Sequence, residues 1–230
     1  MKSQQSGFTL VEIAIVLVII GLLLGGILKG QELINSARVK NLANDFRVIP
    51  TYIYAYQDKF KSLPGDDAQV TAHVQGATAS TTGPVGNGII NGHWNSGDIA
   101  EESFVFWQHV RLANLAAGPT DTGDATYRPV NAVGGAIGIN SVGAAATPQI
   151  KGMSGTYQVC SKGILGKFAI QLDVQMDDGQ PCSGSMRAIP DVGTGTTTNQ
   201  DASWTGTSAP AGCGGAVVAP DSTYTVCMTF

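Results

Sequence analysis

Gly7-Phe8-Thr9-Leu10-Val11-Glu12, continued at once by Ile13-Ala-Ile-Val-Leu-Val-Ile-Ile-Gly-Leu-Leu-Leu-Gly-Gly-Ile-Leu28, decides how the rest of the chain is read. As a helix rising ~1.5 Å per residue, Phe8 to Leu28 would span about 32 Å, enough to cross the ~30 Å hydrocarbon core of a bilayer. Glu12 is its one charge. A carboxylate at that depth costs roughly 2.5–3.5 kcal/mol on insertion scales, so it is expected to have a partner. Ahead of the run, Met1 to Gly7 is a polar leader with a single basic residue, Lys2. The positive-inside bias keeps that leader cytoplasmic and sends whatever follows the span outward. Behind the run, Gly25-Gly26-Ile27-Leu28-Lys29-Gly30 holds no Ala-x-Ala cleavage site, so the span is expected to be retained.

After Leu28 the helical pattern changes character without stopping. Val39, Leu42, Phe46, Ile49, Ile53, Tyr56, Phe60 and Leu63 follow a 3-4 spacing, which puts them on one stripe of one helix, with Arg38, Lys40, Asn41, Asn44, Asp45 and Arg47 on the other faces. Pro50 lies off the stripe and is expected to kink the helix by removing the hydrogen bond to the Phe46 carbonyl. Gly21, Gly25, Gly26 and Gly30 weaken the apolar half as an isolated helix but let neighbouring helices approach in lipid. Leu63-Pro64-Gly65-Asp66-Asp67 closes the helix, and its two aspartates read as turn residues.

Gly7-Phe8-Thr9-Leu10-Val11-Glu12 resembles the prepilin processing motif of type IV pilins and type II secretion pseudopilins. That resemblance is strong from Gly7 to about Leu63. It implies cleavage between Gly7 and Phe8 by a prepilin peptidase, N-methylation of Phe8, and pairing of Glu12 with the new amine of a neighbouring copy. It implies an α+β fold in which a long N-terminal α-helix, membrane-spanning and then amphipathic, packs on an antiparallel β-sheet globular domain. The expected divisions are a leader at 1–7, a transmembrane and filament-core helix at 8–28, its amphipathic continuation at 29–63 and an exported globular domain at 64–230. Implied partners are other copies in a helical homopolymer, the peptidase, the inner-membrane assembly machinery, and lipid before assembly. The precursor would sit in the bacterial inner membrane with its globular domain in the periplasm, and the assembled pilus would be extracellular. Many major pilins have a proline a turn or two after the glycine matching Gly21. Lys29 stands near that place here, which favours a pseudopilin, whereas the length of the body and a C-terminal disulfide loop favour a pilin; a membrane-anchored exported binding domain is the remaining alternative.

Composition fits one such body. With 230 residues, 43% hydrophobic and 13% charged, the chain can supply an anchor and one core of ordinary size. A net charge of −4 gives no general electrostatic footprint for nucleic acid. Cys160, Cys182, Cys213 and Cys227 include no C-x-x-C and read as two disulfides of an exported domain. Three pairings exist, and short loop closure favours Cys160 with Cys182 and Cys213 with Cys227. A disulfide-closed segment there resembles the variable, surface-exposed region of type IV pilins.

Within the body, Ala68 to Gly97 reads as a long loop carrying two exposed histidines, His73 and His93. Asp98-Ile-Ala-Glu101 resembles a capping box, opening a second helix from Ile99 to Ala116 that carries His109. Thr120 to Thr147 reads as a surface loop. Gly155 to Cys160 and Lys167 to Met176 alternate apolar and polar residues, and are expected to form a hairpin followed by a turn at Asp177-Asp178-Gly179. Met186 to Ile189 and Tyr224 to Phe230 complete the strands. Asp177 and Asp178, with Asp173 nearby, are the better of two acidic clusters for Ca²⁺, but turn chemistry is preferred and no metal is assigned. No nucleophile triad, metal-ligand set or phosphate loop stands out, so no cofactor and no enzymatic activity are expected.

Overall fold

The stripe read from Val39 onward is what the body is built on. In the computed structural model, which describes residues 9–144, 150, 152–191 and 217–230, a helix α1 runs Leu10–Phe60 and buries Val39, Leu42, Ala43, Phe46, Ile49, Ile53 and Tyr56. Two compact units divide the chain, Met1–Arg38 and Val39–Phe230, and α1 contributes to both. Pro50 is accommodated inside the helix, and the Thr51 hydroxyl donates to the Val48 carbonyl at 2.6 Å. Lys61 takes a left-handed conformation (φ 58°) and stops the helix three residues short of Leu63, just before Pro64 restricts the chain.

The two aspartates beyond this turn do more than turn chemistry. Asp66 accepts the backbone N–H groups of Gly86, Asn87 and Gly88, pinning a distant loop. Asp67 accepts from the Tyr56 hydroxyl at 2.8 Å, the Gln69 N–H at 2.9 Å, and lies 2.7 Å from His73 Nδ1. Burial would raise the Asp67 carboxyl, but those donors outweigh it and hold the group below the usual range. Here the expected loop contains a short helix, α2, Val70–His73. His73 and His93, expected at the surface, are both half-buried; His73 stacks on Phe60, and His93 Nδ1 accepts from the Asn95 N–H.

Helix α3, Glu102–Leu112, is shorter at both ends than the expected Ile99 to Ala116. Asp98 uses its side chain on the Ala100 N–H, a local turn, so the helix begins four residues after it. Every residue from Glu102 to Arg111 is buried, because the helix is covered on all sides and not on one face alone. The Arg111 guanidinium donates to the carbonyls of Pro119 and Tyr127 and lies over the Tyr127 ring at 5.0 Å. His109 is fully buried, with Nδ1 accepting from the Gly65 N–H and Nε2 2.8 Å from the Thr78 carbonyl. That assigns the proton to Nε2, and burial lowers the pKa further against the opposing Thr78 contact, so the imidazole is neutral.

Four strands form one antiparallel sheet in the order β1-β2-β4-β3: β1 Ile137–Ser141, β2 Tyr157–Leu165, β3 Met186–Pro190 and β4 Thr223–Thr229. Ile137, Ile139, Val159, Ile164, Ala188 and Val226 join the α1 stripe and α3 in one core. This is the expected α+β, pilin-like arrangement of long helix and antiparallel sheet. Strand β1 falls within the stretch expected as a surface loop. The largest correction is α4, Gly166–Met176, where a strand was expected. Its buried residues are Gly166, Phe168, Ala169, Leu172 and Asp173, a helical face, while Val174 is 65% exposed. A bulge between Ser161 and Ile164, with Gly163 at φ 77°, interrupts the pairing of β2 with β4, which resumes at Ile164 and Leu165 just before the chain turns into this helix.

The disulfide expectation is also corrected. Cys160 bonds to Cys227, which stand directly opposite each other on β2 and β4, and Cys182 therefore does not pair with Cys160. Strand register brings distant cysteines together, which short loop length cannot anticipate. Cys213 lies outside the described residues.

Candidate functional site

Two places hold the chemistry anticipated from sequence. The first is the start of α1. Gly7 and Phe8 lie outside the described residues, whereas Thr9 and Glu12 are within them. The Thr9 hydroxyl accepts from the Glu12 N–H at 3.3 Å, and Glu12 Oε2 accepts from the Thr9 N–H at 2.8 Å and from the Thr9 hydroxyl at 2.7 Å. That is a reciprocal capping box, Thr-x-x-Glu, satisfying donors that the first turn of a helix leaves bare. The pattern is legible in Thr9-Leu10-Val11-Glu12, whose spacing is that of a capping box as well as of a charge within an apolar run. Glu12 thus has a partner inside its own chain. Both hydrogen bonds that its carboxylate accepts among the described residues fall on Oε2.

The surface around Glu12 is apolar. Leu10 through Leu28 are exposed on every face, with Leu10 at 86% and Leu22 at 74%, and the most apolar 18-residue window of α1 has a mean hydropathy of 2.8 and no buried residue. A core helix of a water-soluble protein would be covered, so this is a helix with the length and composition of a membrane span. A Cβ added at Gly21, Gly25, Gly26 or Gly30 would meet nothing within 4 Å. No contact within the unit requires glycine there, and the pairs Gly21/Gly25 and Gly26/Gly30 have the four-residue spacing that lets helices pack closely in lipid. The exposed Lys29–Glu32 ion pair at 2.6 Å stabilises the helix by only a few tenths of a kcal/mol.

The second place is acidic. Helix α4 brings Asp173 to Asp177 and Asp178, so that one carboxylate oxygen from each lies within 4.8 Å of the others. Asp173 is buried, Asp177 partly so and Asp178 exposed. In a strand Asp173 would have pointed away from Leu172; in the helix the two share the buried face.

Histidine chemistry is already engaged. Both ring nitrogens of His109 are occupied in the core. A cleft of 620 Å³ contains Phe60, Ser62, Asp67, His73 and Tyr157, but Asp67 is bound to Tyr56 and His73, and no hydrogen bond joins Ser62 to His73 among the described residues.

No curated protein and no solved structure matches the chain significantly. The start of the chain does match a known family signature: the prokaryotic N-terminal methylation motif covers residues 2–28, which take in the apolar half of α1. The chain therefore carries the N-terminal methylation motif typical of type IV pilins and pseudopilins, joined to an α+β body of pilin-like architecture.

Proposed function

We propose that this chain is a structural subunit of a type IV pilus, cleaved after Gly7, N-methylated at Phe8 and assembled through its N-terminal helix. The observation that carries this reading is the methylation motif at residues 2–28 on a helix whose apolar surface is left uncovered within its unit. In the membrane that surface faces lipid; in a filament it faces other copies. Glu12 keeps Oε2 on Thr9 and offers Oε1 to the methylated amine of a neighbour's Phe8, an ion pair that lipid would otherwise make costly to leave open. The leader stays on the cytoplasmic side for the prepilin peptidase, and the body from 64 onward is exported and displayed.

A second reading, a pseudopilin of a type II secretion system, is favoured by one feature. Helix α1 is unbroken through Lys29, where many major pilins place a proline. The tests separate the two. Filaments sheared from cells should contain the chain in abundance, starting at methylated Phe8; a chain starting at Met1 or after Gly30 overturns the filament reading, and its absence from sheared material selects the pseudopilin. Glu12→Ala should leave the protein in the membrane at wild-type level but reduce its incorporation at least about tenfold, the scale of a lost buried ion pair. Normal incorporation of that variant would remove Glu12 from assembly.

A further inference from the structure

Asp173 is an anomaly among the buried acids of this protein. Asp66 accepts from three backbone N–H groups, Asp67 accepts from the Tyr56 hydroxyl and the Gln69 N–H and lies against His73 Nδ1, and Glu102 accepts twice through Oε2 from Asn91. Asp173 is only 1% exposed, and neither of its carboxylate oxygens has a hydrogen-bond partner. Buried carboxylates are ordinarily hydrogen-bonded, paired with a cation or bound to a metal. Among the described residues, no Lys, Arg or His forms an ion pair with Asp173, Asp177 or Asp178.

We propose that Asp173, Asp177 and Asp178 bind one Ca²⁺ ion, at the junction between α4 and the segment leading to β3. Two oxygens bound to a calcium ion at about 2.4 Å can stand no more than about 4.8 Å apart, and the three carboxylates meet that limit. Asp177 and Asp178 are held in place by their own donors. The Ser185 hydroxyl and the Met186 N–H bind the two oxygens of Asp177, and the Gln180 N–H and the Ser183 hydroxyl bind those of Asp178. Each of these oxygens retains a lone pair for an ion, and such outer donors fix ligand orientation. Gly184, at φ 67°, packs its Cα against the Asp177 carboxylate where a side chain would collide. Entry is from the side of Asp178, which is exposed, with Asp173 as the inner wall.

The ligand set selects the metal. Three carboxylates with flanking hydroxyls form an all-oxygen site without nitrogen or sulfur, which disfavours zinc and copper. Magnesium is usually held through one or two carboxylates plus its own water or substrate phosphates, whereas calcium accepts several protein oxygens in irregular geometry. The rival to a cation is a proton. Burial first, and then the charges of Asp178 and Asp177, push the Asp173 carboxyl up to about 7, so the cluster can instead hold a hydrogen at neutral pH.

Calorimetric titration of the full-length chain in detergent, stripped of metal by chelator, distinguishes the two. With CaCl2 alone as the probe, we expect one ion per chain with a dissociation constant between about 10⁻⁶ and 10⁻³ M, and a rise in melting temperature that equimolar MgCl2 does not reproduce. Asp173→Asn should weaken binding at least about tenfold while melting in chelator no lower than wild type, because an uncharged amide relieves the repulsion. Should that buried variant fail to fold, the exposed Asp178→Asn serves, with the same expected loss of affinity. Absence of calcium binding by the wild type up to about 10 mM, well above the weakest protein sites, overturns the proposal and leaves the shared proton. Unchanged affinity in the folded variant, whichever of the two it is, overturns it as well.

Discussion

Glu102 opens α3 with a carboxylate where none can be solvated. Oε2 accepts from the Asn91 backbone at 2.7 Å and its side chain at 3.0 Å, while Oε1 has no partner. Burial, assisted by the nearby charge of Asp66, pushes this carboxyl up to about 7, and Asp173 stands at about the same value. A carboxyl raised in the folded state binds its proton more tightly there than in the unfolded chain. Its contribution is therefore complete below about pH 4.5 and is lost as pH rises through about 7. Asp67, held low by its donors, acts in the opposite sense: its contribution is present above the ordinary carboxylate range and is lost as pH falls beneath it. Denaturant melts in chelator should accordingly show greatest stability near pH 5 and a decline toward pH 7.5. Glu102→Gln should flatten that decline by an amount on the order of 2 kcal/mol. A decline of unchanged size would show that Glu102 is ionised throughout. The sequence displayed these acids plainly, but whether a carboxylate faces water or an orphaned pocket depends on residues such as Asn91 and Gly86 that reach it from elsewhere in the chain.

At the level of elements, legibility followed the length of the pattern. The α1 stripe repeats its spacing over six turns, and no strand reproduces that spacing. Over the eleven residues of α4 the two periods overlap, since Phe168 and Leu172 are four apart and suit either. The deciding residue is Ala169, buried beside Phe168, and a small apolar residue carries little weight in an alternating pattern. Strand β1 was hidden for another reason: all five of its residues are buried, so no alternation exists to be read. Its polar Asn140 is satisfied by the Gly92 carbonyl and by Gln158, partners that lie on other elements. At the other end of the chain, the capping pair Thr9 and Glu12 was fully visible and needed only the recognition that a charge can serve its own helix. The α4 assignment has a direct check. Leu172→Ala should cost about 2–5 kcal/mol and Val174→Ala less than about 0.5 kcal/mol, because one is in the core and the other in solvent. Comparable losses at both positions would restore the strand.

For the whole molecule, the Cys160–Cys227 bond joins two neighbouring strands whose sequence positions are 67 apart. By the chain-entropy account, closing a loop of that length stabilises the fold by roughly 4 kcal/mol, against about 3 kcal/mol for the short loops anticipated from sequence. The double substitution Cys160→Ala/Cys227→Ala should thus lower unfolding free energy by about 2–5 kcal/mol in equilibrium melts, with the buried pair adding a packing loss. A loss below about 1 kcal/mol would mean that the sheet alone fixes this register. Connectivity of this kind is unreadable in a single sequence, because it follows from which strands are neighbours.

Strand order has a further effect on the making of the protein. Among the described strands, β3 pairs only with β4, and β4 fills the place between β2 and β3. A chain that emerges from a membrane in order can therefore close β1 on β2, but it must hold one flank of β2 and the whole of β3 open until residues 223–229 arrive. During that interval two unpaired strand edges are available to neighbouring chains, a recognised route to aggregation. The last-arriving strand is thus the keystone of the sheet, and the time spent waiting for it is the period in which this protein is most exposed to misassembly.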